Sequence, residues 1–120
     1  MLRILLVEDD PDVAFVVSAL LESADFHVTV ASDGQQGLEI AMQERPELII
    51  TDFMMPVMSG LDMIGRLRAQ GYERPIILCS AVAEESMQRD RYLYDVFLLK
   101  PYRSEELMSA IDRVRTKPGP

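Results

Sequence analysis

The sequence predicts an α/β fold: a five-stranded parallel sheet in the order 2-1-3-4-5, doubly wound, with helices on both faces. Two observations predict it. Four short apolar runs are continuous, which is typical of parallel strands buried on both faces, and they cover residues 4–7, 48–50, 76–79 and 96–99. The segments between these runs carry apolar residues at helical spacing, so strands and helices alternate as the crossovers of a parallel sheet require.

The first half of the chain is expected to hold three strands and two helices. Residues 27–30 alternate in polarity and predict an edge strand. Asp10 is a suitable cap for the first helix, and Pro11 suits its first turn. The inward face of this helix is predicted at Val13, Val16, Val17, Leu20 and Leu21. The second helix follows Asp33, and its predicted inward residues are Leu38, Ala41 and Met42.

The second half is expected to hold two strands and their helices. The third helix carries Leu61, Ile64 and Leu67 and ends near Gly71. The last helix has Ser104 as its expected cap, with inward residues at Leu107, Ala110, Ile111 and Val114. Residues 84–91 are only weakly amphipathic and give the weakest helix signal. The end of the chain is rich in Pro, so we expect one domain over residues 1–120 with a tail or linker start at 116–120.

Composition limits the classes of function. Twelve Lys and Arg residues against 20 Asp and Glu give a formal charge of −8, which repels nucleic acid phosphates, so we expect no direct nucleic acid binding. No apolar run reaches membrane-spanning length, and the chain starts without the layout of a signal peptide. The single cysteine, Cys79, excludes an intramolecular disulfide. We therefore expect a cytoplasmic protein that acts through protein partners or a cation site.

Residues with reactive side chains follow the predicted strands. They are Glu8, Asp9 and Asp10 after the first strand, Asp52 after the third, Ser80 after the fourth and Lys100 after the fifth. In the order 2-1-3-4-5, ligands bind where the first and third strands diverge, so the acids are expected to meet in one crevice. Clustered carboxylates repel one another unless a cation lies among them, and their oxygens suit Mg²⁺. A metal beside a carboxylate and a lysine is what phosphoryl transfer needs, and an aspartate can itself be the nucleophile.

Four blocks of the sequence, with order and spacing preserved over the whole chain, resemble the signature of bacterial two-component receiver domains. They are Leu6-Val7-Glu8-Asp9-Asp10, Thr51-Asp52-Phe53-Met54-Met55-Pro56 with Gly60, Ser80-Ala81, and Lys100-Pro101. The resemblance implies a flavodoxin-like fold and the function of a signalling phosphoacceptor, which is not an enzyme but assists its own phosphorylation and dephosphorylation.

The resemblance also implies a role for each matching residue. Asp52 would accept the phosphoryl group from a phosphohistidine of a sensor histidine kinase or a phosphotransfer protein. Asp9, Glu8, Asp52 and the backbone carbonyl of Met54 would hold Mg²⁺, with Mn²⁺ as an alternative ion. Downstream, the partner would be an effector domain or protein; a homodimer is left open.

Three further residues receive roles from the resemblance. Lys100 would pair with one phosphoryl oxygen, in a Lys100-Pro101 peptide bond that is commonly cis in this family, and Ser80 would donate its hydroxyl to another. Phe97 occupies the place of a switch aromatic, although a purely structural core role explains it equally well. Two apolar positions near the phosphoryl group, Met54 and Val82, lead us to expect slow self-dephosphorylation.

Alternatives remain at this stage. Asp10 could be a further metal ligand, but its place before Pro11 favours the cap. A receiver-like interaction module that is not phosphorylated is the main rival. An aspartyl phosphatase is a second rival, but it would need an acidic residue where Met54 stands. A flavodoxin-type flavin carrier is a third, but the acidic residues 8–10 would repel the phosphate of the flavin. The segment from Ser80 to Lys100 is slightly short and lacks a Gly-Ala step common in the family, which puts the fourth helix in doubt.

Overall fold

The computed structural model of the chain describes residues 2–116, except for the side chains of residues 86–89 and 116. Its first half contains β1 (Arg3–Val7), α1 (Pro11–Ser23), β2 (His27–Ala31), α2 (Gly34–Glu44) and β3 (Leu48–Asp52). Its second half contains α3 (Gly60–Ala69), β4 (Ile76–Ser80), a 3₁₀ helix (Glu84–Leu93), β5 (Val96–Leu99) and α4 (Ser104–Thr116). None of the helices within residues 2–116 has the length and apolar character needed to cross a bilayer.

The five strands form one parallel sheet in the order β2-β1-β3-β4-β5, so the predicted architecture is confirmed. Strand β2 lies at an edge, as its alternating polarity predicted. The order reverses at β1, whose neighbours are β2 on one side and β3 on the other. The carboxyl ends of β1 and β3 therefore diverge at the point where ligands bind in sheets of this kind.

The sheet separates two apolar layers. Ile4 and Leu6 of β1 face a layer completed by α1 and α4, while Leu5 and Val7 face a layer completed by α2 and α3. This alternation is the period-two pattern of a strand, and because both layers are apolar, every residue from Ile4 to Val7 is buried. Helices on both faces of the sheet are thus confirmed.

The helix ends are defined by side-chain caps. Asp10 Oδ1 accepts hydrogen bonds from the backbone N–H groups of Asp12 and Val13, which confirms the predicted cap of α1. The predicted cap at Ser104 was wrong, because this residue is already the first residue of α4. Glu106 instead accepts from the backbone N–H of Arg103, the residue before the helix. Helix α4 also includes Thr116, which we expected in the tail; residues 117–120 lie outside the described residues.

Two other expectations need correction. Val16 was predicted on the inward face of α1 but is 64% exposed, and the small side chain of Ala14 takes the buried position instead. Between β4 and β5 the chain forms a 3₁₀ helix rather than a fourth α-helix of the alternating pattern. This segment was the weakest helix prediction, and it has no side-chain cap at its start.

Candidate functional site

Three carboxylates meet where β1 and β3 end. Glu8 and Asp9 directly follow β1, and Asp52 is the last residue of β3, which pairs with β1. One carboxylate oxygen from each residue lies within 4.8 Å of those of the other two. Glu8 and Asp52 are buried, whereas Asp9 is exposed at the mouth of the crevice. The prediction that these acids meet in one crevice is confirmed.

Lys100 brings a positive charge to the same crevice from the end of β5. Its Nζ lies 2.7 Å from Asp52 Oδ1 and 3.5 Å from Glu8 Oε1. Its backbone N–H donates to the carbonyl of Ser80 at 2.8 Å, which fixes the start of the following loop against β4. The next peptide bond, Lys100-Pro101, is cis, as the family resemblance implied.

The charges in the crevice perturb one another. Burial raises the pKa of Glu8, and the adjacent Asp52 carboxylate raises it further, against the opposing effects of the Asp10 N–H and Lys100. Burial opposes the charge on Lys100, but the carboxylates of Asp52 and Glu8 outweigh this effect and raise the pKa of Lys100. The raised pKa of Lys100 keeps its ammonium group charged beside the two carboxylates.

The donor set fits a divalent cation. Three carboxylates beside one ammonium group leave two formal negative charges in a partly buried crevice, which matches the charge of one Mg²⁺. The carboxylate oxygens lie within 4.8 Å of one another, close enough for one hard cation to be shared among them. All the side-chain donors are oxygens, which favours Mg²⁺ over metals that prefer nitrogen or sulfur ligands.

Asp10 does not belong to the carboxylate cluster. Its side chain caps α1, and its backbone N–H donates to Glu8 Oε2 at 3.1 Å. The latter bond holds the Glu8 carboxylate in position at the end of β1. The prediction that Asp10 caps α1 is therefore confirmed.

A small cavity of about 110 Å³ adjoins Asp52. It is lined by Asp52, Phe53, Met54, Cys79, Ser80, Ala81 and Lys100. Ser80 is buried at the end of β4, and its Oγ accepts a hydrogen bond from the backbone N–H of Val82 at 2.9 Å. This bond ties the Ser80 side chain to the loop that leads into the 3₁₀ helix. The predicted site residues Asp52, Met54, Ser80 and Lys100 thus share one cavity.

Phe97 lies deeper in β5 and does not line this cavity. Its ring packs at 6.2 Å and 45° from the ring of Tyr94, whose hydroxyl donates to Glu84 Oε2 at 2.8 Å. Phe97 is half-buried on the α2 and α3 side of the sheet. It therefore connects β5 with both ends of the 3₁₀ helix, while its switch role stays a prediction.

Sequence reasoning missed Tyr102, which lies beside the carboxylates. Burial, together with the charges of Asp52 and Glu8, raises the pKa of Tyr102. The available signal was its place directly after Lys100-Pro101. Burial also raises the pKa of Cys79 to about 12, which supports the interpretation of this thiol as inert packing.

The chain is similar in sequence to known proteins. A family model for the response regulator receiver domain matches residues 4–112. The chain belongs to the response regulator receiver family. This receiver domain is 34% identical over 118 residues to the transcriptional regulatory protein DltR of Streptococcus agalactiae, covering 97% of the chain and 52% of DltR. The chain thus spans about half the length of this relative.

Solved structures agree with the receiver fold. The receiver domain of the Francisella response regulator 1452 superposes with a TM-score of 0.90 at 28% identity, covering 98% of this chain and all (100%) of the other. The response regulator TrrA of Thermotoga maritima, solved in complex with Mg²⁺ and BeF, superposes with a TM-score of 0.88 at 25% identity, covering 95% of this chain and 99% of that one. The protein is thus a receiver domain of two-component signalling, a signalling domain with an acidic crevice that fits Mg²⁺.

Proposed function

We propose that Asp52 accepts a phosphoryl group, in a Mg²⁺-dependent reaction, from a phosphohistidine on a sensor histidine kinase or a phosphotransfer protein. The observation that carries this proposal is the convergence of Glu8, Asp9 and Asp52 within 4.8 Å, with the Lys100 ammonium 2.7 Å from Asp52. The buried Asp52 carboxylate, held beside a cation site and an ammonium group, is a nucleophile in the environment that phosphoryl transfer requires.

The ion would be held by the side chains of Glu8, Asp9 and Asp52 and by the backbone carbonyl of Met54. The shared cavity of Met54 and Asp52 supports the fourth member of this set. When bound, Mg²⁺ supplies positive charge next to the phosphoryl oxygens and removes the repulsion among the carboxylates. Mn²⁺ is an alternative ion, because it also prefers oxygen ligands.

The chain's own residues position and neutralise the transferred group. An oxygen of Asp52 attacks phosphorus in line with the phosphorus–nitrogen bond of the donor; the new phosphorus–oxygen bond forms as that bond breaks, and the donor imidazole leaves. Lys100 then exchanges part of its contact with the carboxylate for a phosphoryl oxygen. The Ser80 hydroxyl donates to another phosphoryl oxygen, since it lies in the same cavity.

The switch would begin at Ser80. Its Oγ now accepts from Val82, so a rotation toward the phosphoryl group draws the loop after β4 with it. This loop leads into the 3₁₀ helix, whose first residue, Glu84, accepts a hydrogen bond from the Tyr94 hydroxyl. The Tyr94 ring in turn packs against Phe97. Phosphorylation would thus shift the population between two packings of the 3₁₀ helix and β5, with Phe97 turning inward in one of them.

The output would reach a downstream effector domain or protein. The match covers only 52% of DltR, a transcriptional regulatory protein. This supports an effector that is separate from the receiver domain, in the same or another chain. The domain would act as a signalling phosphoacceptor and not as an enzyme on another substrate. We place the phosphoryl transfer in the cytoplasm, where the buried Cys79 would stay reduced.

The test is the formation of a stable adduct with beryllofluoride, which mimics the phosphoryl group. With Mg²⁺ and beryllofluoride, amide resonances around Asp52, Ser80 and the 3₁₀ helix should shift, and Asp52→Asn should abolish these shifts. Asp62→Asn, which changes an exposed carboxylate on α3, is the matched control. No shift in the wild type would instead favour a receiver-like interaction module that is not phosphorylated.

A further inference from the structure

Met54 projects from the loop that follows β3. Its neighbours in the chain, Phe53 and Met55, are half-buried and pack against the apolar layer of α2 and α3. The side chain between them is left outside and is 68% exposed. The thioether sulfur is therefore open to reagents in solution.

This exposure distinguishes Met54 from the other methionines whose side chains the structure describes. Met58 and Met63 are buried, and Met42, Met55 and Met108 are half-buried. Susceptibility of a methionine to oxidation follows its exposure. The buried Cys79, only 2% exposed, is shielded from the same oxidants.

The second feature of Met54 is its position on the cavity beside Asp52. It lines this cavity together with Ser80 and Lys100. Val82, whose backbone N–H donates to Ser80 Oγ, is also apolar. Neither a thioether nor an isopropyl group is a strong hydrogen-bond acceptor. The side chains of Met54 and Val82 therefore cannot orient a water molecule for attack on a phosphoryl group.

We propose that hydroperoxides oxidise Met54 to the sulfoxide and that this modification shortens the lifetime of phosphorylated Asp52. In the oxidation, the sulfur attacks one oxygen of hydrogen peroxide, the oxygen–oxygen bond breaks, and water leaves after proton transfer. Sulfur loses two electrons and the peroxide gains them. The inference rests on the proposed function, because it concerns the regulation of the same site.

The sulfoxide changes the chemistry at the mouth of the cavity. Its oxygen is a strong acceptor, so it can hold a water molecule near phosphorus. The oriented water attacks phosphorus through its oxygen, the phosphorus–oxygen bond to Asp52 breaks with its electron pair returning to the carboxylate, inorganic phosphate leaves, and a proton of the water is released to solvent. One such hydrogen bond accelerates hydrolysis by about two- to tenfold.

The experiment treats the chain with hydrogen peroxide, maps the sulfoxides by peptide mass spectrometry, and removes the peroxide. The protein is then phosphorylated with acetyl phosphate and Mg²⁺, and loss of the phosphorylated form is followed over time. Met54 should be oxidised first among the methionines described above. The oxidised wild type should dephosphorylate faster by the factor above, and methionine sulfoxide reductase should restore the original rate.

Two variants separate this effect from general damage. Met54→Gln, which places a polar acceptor there, should speed dephosphorylation without peroxide, and Met54→Leu should show the same rate before and after peroxide. Met108→Leu, on α4, should respond like the wild type. Preferential oxidation elsewhere, an unchanged rate after oxidation, or equal acceleration in Met54→Leu would overturn the inference. Absence of phosphorylation before any oxidation would contradict the proposed function itself.

Discussion

The Lys100 ammonium lies 2.7 Å from Asp52 Oδ1 and joins the ends of β5 and β3, two strands that are not neighbours in the sheet. Strand β4 lies between them, and its last residue, Ser80, accepts a hydrogen bond from the backbone of Lys100. The ion pair therefore depends on the alignment of three strand ends. A phosphoryl group on Asp52 would take over a contact that the carboxylate now makes.

Removing the ammonium group is expected to affect both stability and phosphorylation. Lys100→Ala leaves the buried carboxylates of Glu8 and Asp52 without their cation, so the free energy of unfolding in Mg²⁺-free buffer should fall by about 1–3 kcal/mol. Phosphorylation by acetyl phosphate should slow on the order of a hundredfold. Urea unfolding and a phosphorylation time course measure these effects. Arg103→Ala, at an exposed ion pair three residues later, should change neither by much; equal effects would contradict the account.

Asp9 and Asp10 are adjacent, but we expect Asp9 to bind the metal and Asp10 to stabilise α1 as its cap. Asp9→Asn removes a carboxylate of the cluster and should weaken Mg²⁺ binding by at least about tenfold, with little loss of stability. Asp10→Ala removes the cap of α1 and should lower the free energy of unfolding by about 1 kcal/mol with little change in Mg²⁺ affinity. Calorimetric titration with Mg²⁺ and urea unfolding of both variants would show the contrast. The reverse pattern would place the metal at Asp10.

Gly60 and Gly65 of α3 form a second matched pair. A Cβ at Gly60 would collide with the backbone carbonyl of Asp52, whereas a Cβ at Gly65 would have no atom within 4 Å. Gly60→Ala should therefore destabilise the protein by about 1–3 kcal/mol and reduce phosphorylation of Asp52. Gly65→Ala should stabilise it by about 0.5–1 kcal/mol without affecting phosphorylation. Thermal unfolding measures whether each variant is less or more stable than the wild type. A Gly60→Ala variant as stable as the wild type would contradict the prediction, because the backbone at Asp52 would then have moved to accept the Cβ.

The lifetime of the phosphorylated form is expected to be long. Met54 and Val82 are both apolar, so their side chains cannot orient a water molecule. Val82→Gln should speed the loss of phosphate by about two- to tenfold, because its amide can accept a hydrogen bond from water. The decay of phosphorylated protein after removal of the phosphodonor measures this rate. A wild-type half-life of seconds would count against the expectation.

The strands and the acidic crevice were predictable from sequence for one reason. Residues buried on both faces, such as Ile49 and Ile77, give continuous apolar runs, and these mark parallel strands directly. Once the strands are placed, parallel topology brings their carboxyl ends to one edge of the sheet. The convergence of Asp9, Asp52 and Lys100 follows from that topology rather than from any local signal.

Features set by packing between elements were not predictable. Helical spacing alone did not show that Ala14, rather than Val16, faces the sheet, because that choice depends on how closely α1 approaches it. The 3₁₀ helix ends where Arg68 of α3 donates to the carbonyl of Leu93 and pairs with Asp95. These contacts join residues 25 and 27 positions apart, so no local pattern records them.

The most direct test of the account is the site and metal dependence of phosphorylation. Acetyl phosphate with Mg²⁺ should phosphorylate the wild type, peptide mapping should place the phosphoryl group on Asp52, and chelation of Mg²⁺ or Asp52→Asn should abolish it. A folded Asp52→Asn variant that is phosphorylated as fast as the wild type, or a wild type that is phosphorylated equally well without a divalent ion, would contradict it.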